Sequence, residues 1–536
     1  MMNLIQDAWI PVVRKDRTKD CIAPWEITTE YRTNPVVELD APRSDFNGAL
    51  IQFLIGIVQT SMPPADAHKW KQMFRNPPDE DVLRKSFSVY TDSFNLEGDG
   101  VRFMQDQDLT EGKPVPIARL LLEMPGENAE NHNTDHFLKR GSVEQICLPC
   151  CAMALYSLQT NASFGGAGHR VSLRGGGPLT TLIRGTDLWE TVWSNVVDSR
   201  RFLQTSPEVN DSEVARFPWH GHMEDLGKRK ISPADVHPAQ MFWGMPRRVH
   251  IQTESREGVC DLCGCTSDTL VSGYLTKPKG ISYSEGWKHV LSPHTYDLKK
   301  GGHLPVHLQP GGISYRNWLG IVQNRVAKNA KDEGIWAKEP ASVVSWFRAE
   351  RHEILTEAET RDLRIWSFGY DMDKAKARCW YEGTMPLISV HPSIREKYES
   401  VTEKMILTAD LVAKTTRDQI RKALFDRPAD KKGDLKSIDS EFWQNTESGF
   451  YQTLSLVEQD LIAGNNGTEP KQQWLEILRN ESGKLFEQYA QTQMIAEADP
   501  KRIARAWRDL RLFTSAWNKN VRNTLDIPKP ERKVVS

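Results

Sequence analysis

Between Phe46 and Val58 the apolar positions are Phe46, Ala49, Leu50, Phe53, Leu54, Ile57 and Val58, the i, i+3, i+4, i+7 spacing of a helical face. This predicts an early helix packed into the core. Elsewhere before about residue 395, short β-rich runs such as Ala8-Trp9-Ile10-Pro11-Val12-Val13 alternate with a few helical ones, and Gly and Pro punctuate often. The pattern predicts one large mixed α+β domain over residues 1–395. Within it, Gly126–Arg140 is polar and lacks periodicity, so it reads as a long surface loop. After residue 395 the period becomes helical, with helices expected at about 398–425, 437–463, 470–497 and 500–524. Turn signals at Gly464-Asn465-Asn466-Gly467 and at Pro470 and Pro500 separate them, which predicts a four-helix bundle over 396–536. In the last helix Ile503, Trp507, Leu510, Trp517 and Val521 form an apolar stripe expected to face the bundle core.

Length and composition narrow the class. A chain of 536 residues has room for about three to four domains and a large core. Mean hydropathy is -0.54, and the longest apolar run, Ala49–Val58, is broken by Gln52 and Gly56, so nothing reaches membrane-spanning length. The N-terminus lacks the basic, apolar and small-residue order of a signal peptide, so a reducing cytoplasmic location is expected and disulfides are not. The net charge of -2 hides an uneven distribution, because ten Lys or Arg face three acidic residues from Lys501 onward. Arg502, Arg505 and Arg508 lie largely off the apolar stripe, either as a solvated face or as phosphate contacts. Any contact with a polyanion must be local.

Two cysteine knuckles, Cys147-Leu148-Pro149-Cys150 and Cys260-Asp261-Leu262-Cys263, carry the clearest chemistry. Each offers two thiolates at zinc-site spacing, and together they can close one four-cysteine structural site of Zn2+ with no open coordination position. The 109 residues between Cys150 and Cys260 far exceed the spacing of a zinc ribbon, so the competing reading is four reduced core cysteines. Cys151 and Cys265 adjoin the knuckles as substitute ligands, while Cys21 and Cys379 stand alone. Between the knuckles runs a glycine-rich stretch, Gly165-Gly166-Ala167-Gly168-His169-Arg170, followed by Leu173-Arg174-Gly175-Gly176-Gly177-Pro178. Glycines let backbone approach a nucleic-acid backbone or groove, with His169, Arg170 and Arg174 supplying charge; the plainer alternative is a structural turn. Lys277 and Lys279, soon after the second knuckle, are a second basic candidate that the clamp would hold.

No catalytic constellation stands out. Gly175-Gly176-Gly177-Pro178 lacks the Gly-Lys-Ser/Thr of a phosphate-binding loop. His220 and His222, or His294, His303 and His307, together with Asp371 and Asp373, are the material for a metal-dependent nuclease, though no HExxH or similar motif accompanies them.

The opening Asn3-Leu4-Ile5-Gln6-Asp7-Ala8-Trp9-Ile10-Pro11-Val12, the two glycine runs, Cys260-Asp261-Leu262-Cys263-Gly264 and Phe368-Gly369-Tyr370 together resemble the CasA family, large subunits of the type I-E CRISPR Cascade complex. The resemblance covers essentially the whole chain. It implies a non-enzymatic DNA-binding subunit of an RNA-guided surveillance complex, partnered by other Cascade subunits, the guide RNA, double-stranded target DNA and a helicase-nuclease effector. Such a subunit reads the protospacer-adjacent motif in the minor groove, helps to open the duplex and recruits the effector. By local matching, the family's glycine loop falls on Gly165, Gly166 and Gly168 and its lysine finger on Lys277 or Lys279. Its strand-separating wedge falls on Asp373, Lys374 and Ala375, where Lys374 replaces an amide side chain. Phe137, Lys139 and Arg140 match the long loop that approaches the guide RNA. A purely structural scaffold subunit remains the third reading beside motif reader and nuclease.

Overall fold

The early apolar run folds as the helix Ser44–Ser61, buried almost all round rather than along one stripe, because Ile51 and Ile55 fill the turns between the predicted positions. A helix apolar on every side is a core element. Asp45 in its first turn suits the positive end of the helix dipole and accepts hydrogen bonds from Arg43 (2.9 Å) and the Tyr370 hydroxyl (2.6 Å). Midway along, Phe53 meets Trp9, Phe94, Phe103, Tyr156 and Trp243 edge-on, with ring centroids 5.3 to 5.9 Å apart. That geometry is favourable for aromatic quadrupoles.

This structure is a computed structural model that describes residues 1–133, 140–166, 168–203, 210–298, 302–308, 310–328, 335–351, 354–373, 376–388, 390–425, 435–491 and 499–531. The chain divides into one unit of Met1–Pro310 with Gly320–Leu387 and a second of Gly311–Leu319 with Ile388–Ser536. No described helix is long and apolar enough to cross a membrane.

The first unit mixes helices with several small sheets, as the alternating runs predict. One sheet centres on Ile10–Arg14, antiparallel to Lys19–Ile22 on one side and Val36–Leu39 on the other. Another sets Arg364–Asp373 between Thr180–Arg184 and Lys376–Pro386. The sheet that positions the candidate site is built on a long hairpin, Arg248–Val259 with Thr266–Lys277. The free edge of its second strand pairs with Lys113–Pro116 near one end and with Ile146–Cys147 further along. A buried ion pair, Arg248 to Asp106 at 2.5 Å, fastens the start of the hairpin. The expected loop after Gly126 differs in one part: Glu127–Asn131 makes a short helix, and residues 134–139 lie outside the described residues.

The second unit is helical, with Arg395–Leu424, Lys436–Ile462, Thr468–Phe486, Pro500–Phe513 and Lys519–Leu525. The last expected helix is thus two. Thr514 turns its hydroxyl back to the Leu510 carbonyl, and Asn518 caps the next helix by accepting from the Asn520 and Val521 amides. The break rotates the predicted stripe out of register: Leu510 and Val521 are buried and Ile503 and Trp507 half-buried, but Trp517 is 44% exposed. Between helices, Trp474 donates its indole N–H to the Met405 carbonyl at 3.0 Å, and Thr416 meets Ser482 at 2.9 Å.

Phe53→Ala is expected to destabilise the protein by about 3–5 kcal/mol, the cost of emptying a large aromatic site. The measurement is the urea midpoint; a loss below about 1 kcal/mol would show that the aromatic cluster is not central to the packing of this unit.

Candidate metal centre and nucleic-acid interface

Cys147 stands at the N-cap of the helix Leu148–Asn161, and Pro149, well placed in a first helical turn, brings Cys150 round beside it. The second knuckle is the closed end of the long hairpin. Its turn is held by the Cys260 amide on the Cys265 carbonyl and the Gly264 amide on the Cys260 carbonyl, each at 2.9 Å. Asp261 staples the two knuckles together. Its carboxylate accepts the Glu144 and Gln145 amides at 2.7 and 2.9 Å, and its own amide donates to the Gln145 carbonyl at 3.0 Å. The four sulfurs of Cys147, Cys150, Cys260 and Cys263 all lie within 4.8 Å of one another, with Cys147 and Cys263 at 3.7 Å. Zinc–sulfur bonds of about 2.3 Å in a tetrahedron put sulfurs roughly 3.8 Å apart, so the donor set fits a closed Zn2+ site. Hydrogen bonds from the Cys147 and Cys150 thiols hold Cys260 well below the ordinary thiol range. Neither adjoining cysteine joins the group, since Cys151 is fully buried in the helix and Cys265 is exposed with its sulfur toward the Cys263 carbonyl.

From this end the helix runs about 21 Å, and the second hairpin strand roughly 35–40 Å, to the opposite side of the sheet. There they deliver the glycine loop and the lysine turn. The loop leaves the helix at Asn161 and closes on itself through the Ser172 amide to the Ala162 carbonyl (2.9 Å) and the Gly177 amide to the Asn161 carbonyl (3.1 Å). The open end of the hairpin grips it from both sides. Arg247, just before the first strand, hydrogen-bonds the Ser163 carbonyl, while the Lys279 amide, just after the second, donates to the Gly168 carbonyl at 2.7 Å. Gln159 on the helix fixes Arg247 in turn, donating to its carbonyl at 2.9 Å and accepting its amide at 3.0 Å. Gly165 lets Arg247 come close: a Cβ there would lie 2.5 Å from Nη1 of Arg247, so any other residue would push the guanidinium aside. Gly166 has φ +89° and nothing within 4 Å of where a side chain would start, so it is the open edge of the loop.

The basic candidates separate on inspection. Lys279 is exposed, at φ +66°, whereas Lys277 is half-buried in the strand opposite Arg248. The closeness in sequence of these lysines to the second knuckle is misleading, because the whole strand Thr266–Lys277 intervenes. Arg170 is half-buried at the foot of the loop. Arg174, expected to supply surface charge, is instead 3% exposed and donates to Gln52, Thr180 and Ser292 inside the unit. The second glycine run is structural as well, Gly177 packing on Met372 and Tyr370 and the Gly176 carbonyl meeting His307 at 3.0 Å.

The wedge candidates belong to the hairpin Arg364–Asp373 and Lys376–Pro386. Asp373 is exposed near its tip; Lys374 and Ala375 lie outside the described residues. Arg378 pairs with buried Asp371 at 2.7 Å and approaches Asp373 at 3.7 Å. Arg140 donates to the Glu130 carbonyl (2.8 Å) and Asn133 (3.0 Å), while Phe137 and Lys139 are outside the described residues. In the helical unit Arg505 and Arg508 are exposed, but Arg502 is half-buried and spends its Nε–H on the Ala423 carbonyl at 2.9 Å.

Sequence reasoning missed Arg247, Gln159 and Phe164. The doublet Arg247-Arg248 after Pro246 is too common a pattern to single out, and only the fold shows Phe164, 63% exposed beside the open glycines.

The histidines do not assemble with Asp371 or Asp373. His220 meets Ser93 at 2.8 Å, His222 pairs with Asp108 at 3.0 Å, and His294 and His303 sit 5.9 Å apart, centroid to centroid. Among the described residues, the four cysteines are the one group of three or more such side chains with converging ligand atoms. Burial pushes His294 down to about 3 and His237 down to about 4 from an ordinary 6.5. The unfolded chain therefore takes up these protons near pH 6.5 while the folded chain refuses them, so stability falls as the pH drops from 6.5 toward 4. His294→Phe is expected to flatten part of that slope in urea midpoints measured against pH; an unchanged slope would mean that His294 is not held neutral by the fold.

Residues 3–485 match the family model of the CRISPR-associated protein Cse1. The CRISPR-associated protein CasA/Cse1 of Thermus thermophilus is 26% identical over 235 residues, 40% of this chain and 45% of that protein, so the match spans less than half of the curated relative. The crystal structure of Thermobifida fusca Cse1 superposes with a TM-score of 0.70 at 16% identity, covering 98% of both chains. A chain of a CRISPR RNA-guided surveillance complex superposes with a TM-score of 0.66 at 11% identity, covering 96% of this chain and 99% of that one. Those structural matches speak for the fold, while the sequence match, running through both cysteine knuckles, the glycine loop and most of the helical unit, is what assigns the chain to the CRISPR-associated protein Cse1 family.

Proposed function

We propose that this chain is the large, non-catalytic subunit of a CRISPR RNA-guided surveillance complex in the cytoplasm. It reads a protospacer-adjacent motif in double-stranded DNA from the minor groove, promotes duplex opening and R-loop formation, and recruits the helicase-nuclease that degrades the target. The observation that carries the reading is the junction of the two candidate elements: the Lys279 amide on the Gly168 carbonyl, next to the open edge at Gly166. A glycine edge with little side-chain bulk fits a narrow groove, and an exposed lysine beside it adds the charge that a groove attracts. We assign the lysine finger to Lys279 rather than Lys277, because only Lys279 stands clear of the strand. Minor-groove donors and acceptors separate A·T from G·C but scarcely A·T from T·A, so such a reader tolerates several motifs. Guide pairing supplies the remaining sequence specificity.

The other parts follow from this division of labour. Unstacking the duplex costs roughly 1–2 kcal/mol per step, which a wedge at Asp373, Lys374 and Ala375 and the guide pairing offset. Arg505 and Arg508, with Arg502 held closer to the helices, offer salt-sensitive contacts to the displaced strand. Phe137, Lys139 and Arg140 face the guide RNA in this reading. Cys147, Cys150, Cys260 and Cys263 hold Zn2+, whose chemistry here is that of a structural crosslink.

Two measurements test these assignments. In the complex reconstituted with guide RNA, Gly166→Asp and Lys279→Ala are expected to abolish the preference for motif-bearing duplexes without blocking assembly. Undiminished discrimination by both variants would move the scaffold reading ahead. Atomic absorption of the purified chain should find about one zinc, matching a single closed site. Cys150→Ser should lose it and unfold more readily, by about 3–5 kcal/mol, the scale of a lost crosslink over a loop this long. A metal-free wild type with an unchanged melting point after chelation would return the cysteines to ordinary core residues.

A further inference from the structure

Behind the glycine loop lies a cavity of about 400 Å³ whose rim includes Gly165 and His169 and whose walls come from the sheet below. Lys113, Arg119 and Arg247 all line it, against a single lining carboxylate, Glu127. Glu127 is taken up by Lys113, and Arg119 keeps one guanidinium nitrogen on Glu130 at 2.7 Å. Arg247 has no carboxylate partner among the described residues, and the buried Nε atoms of both Arg119 and Arg247 have no hydrogen-bond partner there. Burial lowers Arg247 to about 10, which still leaves it charged at neutral pH. A buried, unbalanced guanidinium is costly unless something anionic meets it. Forked N–H donors beside a lysine match the oxygens of a phosphate.

We propose that this cavity is a phosphodiester site, in which Arg247, supported by Arg119 and Lys113, binds one backbone phosphate of the duplex whose groove the glycine loop enters. The site rests on the reading of the loop as a DNA reader and adds what that reading lacks, a fixed anchor at the root of the loop. Because Arg247 also holds the Ser163 carbonyl, a phosphate drawn to its guanidinium sets the height of the loop over the groove. The loop glycine at 165 is part of the same device, since a Cβ there would press on the guanidinium at 2.5 Å and displace it. Burial, then the neighbouring Arg247 and Lys113, lowers the pKa of His169 at the rim, the sign expected beside a cluster of positive charge. A phosphate contact positions without reading sequence, so its loss weakens all duplexes alike.

The test uses the reconstituted complex and two labelled duplexes without a match to the guide, one carrying a motif and one lacking it, titrated with salt. Arg247→Gln is expected to weaken binding about tenfold on motif-bearing and motif-free duplexes equally, and to make the slope of log K against log salt shallower by about one. Lys113→Gln, on the exposed rim, should shift both quantities in the same direction by less, and guards against a loop that merely collapses without Arg247. Unchanged affinity and slope in both variants, with a wild type that binds, would overturn the site while leaving the proposed function standing. Loss of guide-RNA affinity with duplex binding intact would assign the cavity to RNA phosphate and equally overturn the duplex assignment. A wild-type complex that binds no duplex at all would take down the functional reading first, and this site with it.

Discussion

Four sulfur atoms gathered within 4.8 Å join two stretches of chain that are 109 residues apart, and the geometry of the candidate interface depends on that closure. Under the proposed function, a Zn2+ ion on all four would close a loop of this length and remove on the order of 4–5 kcal/mol of entropy from the unfolded chain, as a covalent crosslink does. Its location matters as much as its strength. One pair of thiols starts the helix Leu148–Asn161 and the other caps the closed end of the long hairpin, so helix and strand are pinned together at one end. Their opposite ends are then presented side by side, where a single amide-to-carbonyl bond, Lys279 to Gly168, suffices to join the glycine loop to the lysine turn.

The frame explains why a loop so rich in glycine is not simply loose. Its base is closed by two backbone hydrogen bonds, and its flanks are held by Arg247 on one side and Lys279 on the other. Among the described loop glycines, Gly166 has open space where a side chain would start. Preorganisation of this kind spares the ordering entropy that a free loop would lose on meeting a groove. The buried Arg248–Asp106 pair and the Gln159 contacts to Arg247 belong to the same support, because they fix where the hairpin begins.

Several functional hints lost their apparent meaning in three dimensions. Arg174 reads as surface charge in a glycine-rich basic stretch, yet it is an interior donor to Gln52, Thr180 and Ser292. The histidines that suggested a nuclease are dispersed among separate partners, and Asp371 is committed to Arg378. Side-chain type indicates what a residue is able to do; the neighbours it meets decide what it does.

The sequence by itself determined the elements whose signals are local: the early core helix from its helically spaced apolar positions, the switch to helical periodicity near residue 395, and the two thiol pairs from their spacing. The glycines marked the loop because only they tolerate its backbone and its close approaches. Tertiary structure alone decided which distant segments meet. The break at Thr514–Asn518 came from side-chain hydrogen bonds that compete with the helix, a contest periodicity does not see. The meeting of the four cysteines, the grip of Arg247 and the distance of both lysines from the second knuckle follow from strand register and from the long strand between them. Register is fixed by which faces are buried against what, and that information lies in no single stretch of chain.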